Sequence, residues 1–316
     1  MRKIILFNPS ISSLNLGDEI IFRSIYNELK EFFHEDFIVN ISTHLPISNR
    51  YMRYISDADY KIVCGTNLLQ SKMNGRFRQW DIRWTNIKYI RPVILLGVGW
   101  WQYQARPNLY TKFLYKRLLA TDFLHSVRDS YTENKLKDIG FKNVINTGCP
   151  SMWPLTPNHC KDIPTKKANK VILTFTDYNT DINSDTMLFN ILYKNYKEVY
   201  VWLQGYNDFS YIKSLSLENK VKIIPPSVDA LDEKLLDEDI EYVGTRLHAG
   251  IRALQKKKRA IIIGIDNRAL EKKKDFNIPV IDRANLKELG NVLYSELKTD
   301  IHLPIEKIKQ WKEQFK

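Results

Sequence analysis

Two successive α/β units of the Rossmann kind, each built on a parallel sheet, are the fold this sequence predicts, and three observations carry it. Short apolar runs alternate with amphipathic segments from the first residues onward, the alternation lapses over residues 150–170, and it then restarts with a second set of apolar runs. Strands alternating with helices imply a parallel sheet covered on both faces. A chain of 316 residues has the length to bury two cores.

K-I-I-L-F at 3–7 reads as the first strand, and Ile20, Ile21, Ile25, Leu29 and Phe32 then recur at helical spacing within 19–33. D-F-I-V-N-I (36–41), Y-K-I-V-C (60–64) and P-V-I-L-L-G (92–97) continue the strand series. F-L-H-S-V (123–127) and N-V-I-N (143–146) follow, with a helical stretch at 129–139 between them. Residues 150–170 hold four prolines and break the pattern as a linker does. V-I-L-T-F (171–175), V-Y-V-W-L (199–203), V-K-I-I-P (221–225), I-E-Y-V-G (240–244) and A-I-I-I-G (260–264) supply the second sheet. Helices are expected over 285–297 and 304–316, the last one packing back on the first domain. The expected boundaries are 1–155 for an N-terminal domain, 156–170 for the linker and 171–316 for a C-terminal domain. Such a layout is GT-B-like, and its ligands are expected at strand carboxyl ends.

Composition narrows the function classes. No apolar run approaches the roughly 20 residues of a membrane helix, and the apolar stretch behind Met1 stops at Asn8 and Pro9, too short for a secretory signal. Cys64, Cys149 and Cys160 show no metal-ligand spacing, so a reduced, cytoplasmic protein without a metal site is expected. The formal charge of +12 favours anionic partners. Without a zinc knuckle, an RNP-like strand or a helix-turn-helix pattern, nucleic acid is not expected among them. The basic runs at 256–259 and 272–274 read as solvated faces, with peripheral contact to anionic lipid at the inner membrane face as the second reading.

The strongest local signal is I-E-Y-V-G-T-R-L-H-A-G-I-R-A-L at 240–254. A buried strand exits at Gly244, Thr245 is the expected N-cap, and Leu247, Ile251 and Leu254 form the buried stripe of the next helix. Arg246 and His248 stand two positions apart, so both face a ligand only in a first turn at the strand's carboxyl end. Free N–H groups and the helix dipole there attract anions and disfavour protonated His. The plainer alternative makes Arg246 a surface residue and His248 an imidazole filling space beside the sheet. H-S-V-R-D-S-Y-T-E-N-K-L at 125–136 places Arg128 at another strand end, with Asp129 or Ser130 to cap the helix. Its alternative is a structural ion pair with Asp129. In N-L-G-D-E-I-I at 15–21, Gly17 permits a tight turn, and Asp18 is either an N-cap or a carboxylate that takes a hydroxyl proton. Trp100 and Trp101 suit a sugar face or the core equally. Neither a dinucleotide fingerprint nor a Walker loop occurs.

Taken in order, N-x-G-D at 15–18, V-R-D at 127–129 and G-T-R-L-H at 244–248 resemble the polysaccharide pyruvyl transferase family. The resemblance implies a GT-B-like fold, phosphoenolpyruvate as donor and no cofactor. It also implies a pyruvate ketal set on two hydroxyls of a sugar, in a surface polysaccharide or its lipid-linked precursor. The first domain would then take the acceptor side and the second the donor side. Arg128, Arg246 and His248 match the family's active-site arginines and histidine, and Arg268 stands where members carry a basic residue, usually lysine. The expected catalytic residues are His248, Arg246 and Asp18; the expected substrate-binding residues are Arg128, Arg268, Asn15, Gly17, Gly244 and Thr245. Three positions depart from the pattern: Gly65-Thr66-Asn67 stands for a Gly-Gly-Gly turn, Cys149 for an aspartate before Pro150, and Gly264 for a tyrosine. A GT-B glycosyltransferase with a nucleotide-sugar donor is the alternative enzyme, and a glycan-binding scaffold the non-enzymatic one.

Overall fold

The computed structural model describes residues 1–316. They form two compact units, the first of residues 1–13, 21–150 and 303–316, the second of residues 14–20 and 151–302.

In the first unit, β1 (Lys3–Asn8), β2 (Phe37–Ser42), β3 (Tyr60–Cys64) and β4 (Ile94–Leu96) make a parallel sheet in the order β2-β1-β3-β4. Ile4 to Phe7 of β1 are wholly buried, as expected for a strand with helices on both faces. β5 (His125–Val127) and β6 (Val144–Asn146) pair with each other and join β4 by a parallel bridge between Val98 and Val127. The β4–β5 seam is closed largely by side chains. Leu95 N donates to Nδ1 of His125 at 3.2 Å and Gly97 N to Oγ of Ser126 at 2.9 Å. The helix Ile305–Glu313 belongs to this unit, with Trp311 wholly buried. Phe315 behind it packs on Phe33, Tyr60 and Phe123 at centroid distances of 5.5, 5.6 and 6.3 Å.

The second unit holds a six-stranded parallel sheet: β7 (Lys170–Leu173), β8 (Glu198–Trp202), β9 (Lys222–Ile224), β10 (Ile240–Gly244), β11 (Ala260–Gly264) and β12 (Val280–Asp282). Its order is β12-β11-β10-β7-β8-β9. The chain winds outward from β7 to β9, then jumps back across β7 to begin β10. That reversal puts the topological switch point between β7 and β10, where the connecting loops leave a crevice at the carboxyl ends. The three-residue β12 has no counterpart among the expected strands. Residues 156–170 are grouped with this unit and open with a short helix, Pro157–Lys161, whose N-cap Thr156 accepts from His159 N at 3.3 Å.

The basic runs are solvated faces in part: Lys257, Lys273 and Lys274 are exposed, while Arg259 and Lys272 are not. Arg259, just before β11, is buried and donates to Glu241 at 2.7 Å, and Lys272 is buried in the helix Asn267–Phe276. Lys257 pairs with Asp162 at 2.6 Å. No helix is long and apolar enough to cross a membrane.

Candidate functional site

Arg246 leaves the carboxyl end of β10 and is the N-cap residue of the helix Leu247–Gln255, with an extended backbone and no side-chain cap. Thr245, expected at that cap, turns instead toward β7: its Oγ1 donates to Thr174 O at 3.1 Å and pairs with Oγ1 of Thr176 at 2.8 Å. Thr174 Oγ1 accepts from Arg246 N at 3.2 Å, and the Tyr242 hydroxyl donates to Arg246 O at 2.7 Å. The backbone of Arg246 is thereby fixed from both sides before its side chain does anything. Gly244 permits this fit, since a Cβ there would stand 2.5 Å from Thr174 Oγ1. His248, second in the helix, is buried.

The Arg246 guanidinium is also buried. Its Nε donates to Phe175 O at 2.7 Å, and its Nη2 donates to Oδ1 of Asp177 at 2.9 Å and to Oδ1 of Asp208. The other Asp208 oxygen accepts from Gln204 N at 2.9 Å and Gly205 N at 2.7 Å. Burial pushes the Asp208 carboxyl above its ordinary range, while the Arg246 charge and the Gly205 N–H pull it back. With this many donors around it, the carboxylate is the form the geometry serves. Gly205 is required by proximity, because a Cβ would lie 2.3 Å from Nη2 of Arg246. These bonds occupy Nε and Nη2 and leave Nη1 without a protein partner.

Three further residues reach the same place from other strand ends. Tyr178, beyond β7, lies with its ring 5.3 Å from the guanidinium carbon of Arg246 and 5.3 Å from that of Arg268. Arg268, in the first turn of the helix Asn267–Phe276, is held by the helix cap Asp266, with Nε to Oδ2 at 2.8 Å, and contacts the Tyr178 hydroxyl. The segment around Asn15 joins through the loop after β8. Leu16 N donates to Gln204 O at 2.9 Å, and Gln204 Nε2 donates to Asn15 Oδ1 at 2.7 Å. Asn15 Oδ1 also accepts from Gly17 N at 3.0 Å, so Asn15 makes the turn before the helix Gly17–Phe33. Asp18 is buried in that helix's first turn.

One continuous network, Asn15–Gln204–Asp208–Arg246–Tyr178–Arg268, therefore gathers two of the three motifs at the switch point of the second unit. Gln204, Gly205, Asp208, Asp177 and Tyr178 were not singled out in the sequence. L-Q-G-Y-N-D follows β8 as G-T-R-L-H follows β10, and the same strand-end argument would have found it.

Arg128 belongs to the first unit, at the carboxyl end of β5. It is buried, its Nε donates to Oδ2 of Asp129 at 3.1 Å, and its Nη2 is buried without a hydrogen-bond partner. The guanidinium lies on the backbone of Gly99, where a Cβ would come 2.0 Å from Nε. Asp129 is the N-cap of the helix Ser130–Ile139, accepting from Thr132 N at 2.8 Å. Trp100 is core, edge-on to Tyr115 at 6.1 Å, and Trp101 packs on Phe77 at 5.2 Å.

Two Rossmann-like units on parallel sheets, the second with charged side chains convergent at its strand carboxyl ends, have a GT-B-like architecture. A family model described as polysaccharide pyruvyl transferase matches residues 15–267, and the chain belongs to that family. Among solved structures, it is similar to Methanocaldococcus jannaschii UDP-GlcNAc 2-epimerase in complex with UDP-GlcNAc and UDP. The TM-score is 0.53 at 13% identity, over 98% of this chain and 99% of that one. It is also similar to S. aureus MnaA in a co-structure with UDP, with a TM-score of 0.50 at 11% identity over 95% and 93% of the two chains. At such identities the likeness concerns the fold. No curated protein matches the chain significantly.

Proposed function

We propose that this chain transfers a pyruvyl group from phosphoenolpyruvate to a sugar, closing a cyclic ketal on two hydroxyls of a polysaccharide or of its lipid-linked precursor. The observation that carries the reading is the guanidinium edge left open at each arginine. Nη1 of Arg246 has no protein partner, and Nη2 of Arg128 is buried without one. The buried, unpaired Nη2 of Arg128 costs free energy unless a ligand completes it, and a guanidinium edge, that of Arg246 included, is best met by carboxylate or phosphate oxygens.

In this reading Arg246 and Arg268 hold the donor's carboxylate and phosphate, with Gly244 and Thr245 shaping the turn beneath them, and Arg128 is a substrate-binding residue of the first unit. His248 gives a proton to the methylene carbon, leaving an oxocarbenium-like centre at the adjacent carbon. A sugar hydroxyl oriented by Asn15 and Gly17 bonds to that centre and gives its proton to Asp18. A second hydroxyl then forms the other C–O bond as the C–O bond to phosphate breaks. Its proton leaves with the phosphate, whose developing charge the arginines stabilise. Exchange with solvent then takes the proton from Asp18 and restores one to His248, so the balance is phosphoenolpyruvate plus diol giving ketal plus inorganic phosphate.

Calorimetric titration of the purified chain with phosphoenolpyruvate, and separately with UDP, tests the donor. Binding of phosphoenolpyruvate and a ketal-sized mass gain on the glycan are the expected results. Binding of UDP alone would replace this reading with nucleotide-sugar transfer. His248→Gln is expected to keep donor binding while turnover falls by roughly 10²-fold or more.

A further inference from the structure

The first unit carries a feature that the reaction does not use. Residues 72–117 hold ten Lys and Arg against one acid, Asp81, a net +9 of the chain's +12; the remaining residues are nearly balanced, with 38 basic and 35 acidic. Part of this charge lines a cavity of about 620 Å³ bounded by Lys88, Arg91, Lys116 and Arg117, with Asp122 as its lone carboxylate. The four basic side chains are exposed, and none forms an ion pair. The cavity lies where Pro92 and Phe123 lead into β4 and β5, at the opposite end of those strands from Arg128.

An apolar ridge adjoins it. The helix Leu109–Leu118 buries Thr111, Leu114, Tyr115 and Leu118 and turns Leu109, Phe113, Lys116 and Arg117 outward at helical spacing. Leu109 is 84% exposed and Phe113 46%. Trp84, also 46% exposed, packs on Phe113 at 4.8 Å, and the Arg117 guanidinium lies 5.5 Å from the Phe113 ring. The ridge and the basic cavity are therefore one surface, joined through Arg117.

We propose that this surface docks the chain on an anionic phospholipid bilayer, with headgroup phosphates in the basic cavity and Leu109, Phe113 and Trp84 in the interfacial layer. Unpaired basic charge alone would suit any polyanion. The exposed leucine and aromatic pair decide for a bilayer, because an interface of headgroups and acyl chains accepts aromatic and aliphatic side chains beside Lys and Arg. A phosphodiester backbone offers Leu109 nothing. The inference stands independently of the pyruvyl reading.

Co-sedimentation of the full chain with vesicles tests it. The chain is expected to bind phosphatidylglycerol-containing vesicles and not pure phosphatidylcholine. Each basic residue near such a surface contributes about fivefold, so K88Q/R91Q/K116Q/R117Q should lower the partition coefficient by roughly 10²–10³-fold. Leu109→Ser with Phe113→Ser should remove the part of binding that survives high salt, while K256Q/K257Q should change nothing. Should a variant melt early, quenching of the wild-type fluorescence by brominated lipid, compared with Trp84→Phe, reads the same contact in the folded chain. Three results overturn the proposal: no preference for anionic vesicles, unchanged partitioning of the quadruple variant, or salt-resistant binding that survives loss of Leu109 and Phe113. Binding of duplex DNA in preference to vesicles, indifferent to those two residues, would assign the face to nucleic acid instead.

Discussion

Arg246 is a buried cation between two carboxylates, so its side chain holds structure as well as the role proposed for it in donor binding. The sequence alone leads one to expect that Arg246→Ala leaves the melting temperature nearly unchanged. The buried contact with Asp208 argues otherwise, because removing one member of such a pair leaves an uncompensated charge at a cost of about 3–5 kcal/mol. A melting curve of Arg246→Ala should therefore shift down by several degrees, and an unshifted curve would show that Asp208 finds another partner. Gly205→Ala separates the two roles, since its Cβ displaces Nη2 without removing charge. Turnover of Gly205→Ala should fall by roughly 10²-fold, the cost of a misplacement of about 1 Å, with a much smaller stability change than in Arg246→Ala. At this scale the position of Arg246 and His248 beside a strand end was legible, because both stand in one motif. Asp177 and Asp208 were not legible, because their contact with Arg246 spans 69 and 38 residues of sequence. No local pattern records that separation.

At the scale of elements, the seam between β4 and β5 rests on one imidazole. His125 is wholly buried, with Nδ1 accepting from Leu95 N at 3.2 Å and Nε2 facing Ala120 O at 2.9 Å. Both roles require the neutral ring, and burial lowers its pKa to about 4. An unfolded histidine titrates near 6.5, so the unfolded chain gains a proton first as pH falls. The stability tied to His125 is complete above about pH 6.5 and is lost between there and about pH 4, a total of about 3 kcal/mol. Denaturant unfolding at stepped pH should show this slope in the wild type and a flatter one in His125→Gln; equal slopes would remove His125 as its source. The strands themselves were readable from their β-branched runs. The seam was not, because side chains stand in there for a backbone ladder, and β12 was too short to show a period.

For the molecule as a whole, the chain does not divide at one point. The first unit needs residues 303–316 and the second takes residues 14–20, so each borrows a segment from the far side of the other in sequence. The change of unit falls between residues 150 and 151, at the start of the proline-rich stretch, and the exchange of segments leaves no mark in composition. Ending the chain at His302 should cost the first unit the burial of Trp311 and Phe315, each worth about 3–5 kcal/mol by analogy with truncation to alanine. Calorimetry should then show an early transition, absent from the full chain, accompanied by dye binding to exposed apolar surface. A single unaltered transition would mean that the last helix is dispensable.

That last helix also sets an order of events during synthesis. Phe33, Tyr60 and Phe123 leave the ribosome long before Phe315, which packs on all three and on Trp311. At about 5–20 residues per second, translating the intervening chain takes on the order of ten seconds or more, and for that time the N-terminal apolar surface stays uncovered. The first unit is thus closed only once residues 303–316 have emerged, after the whole of the second unit has been made.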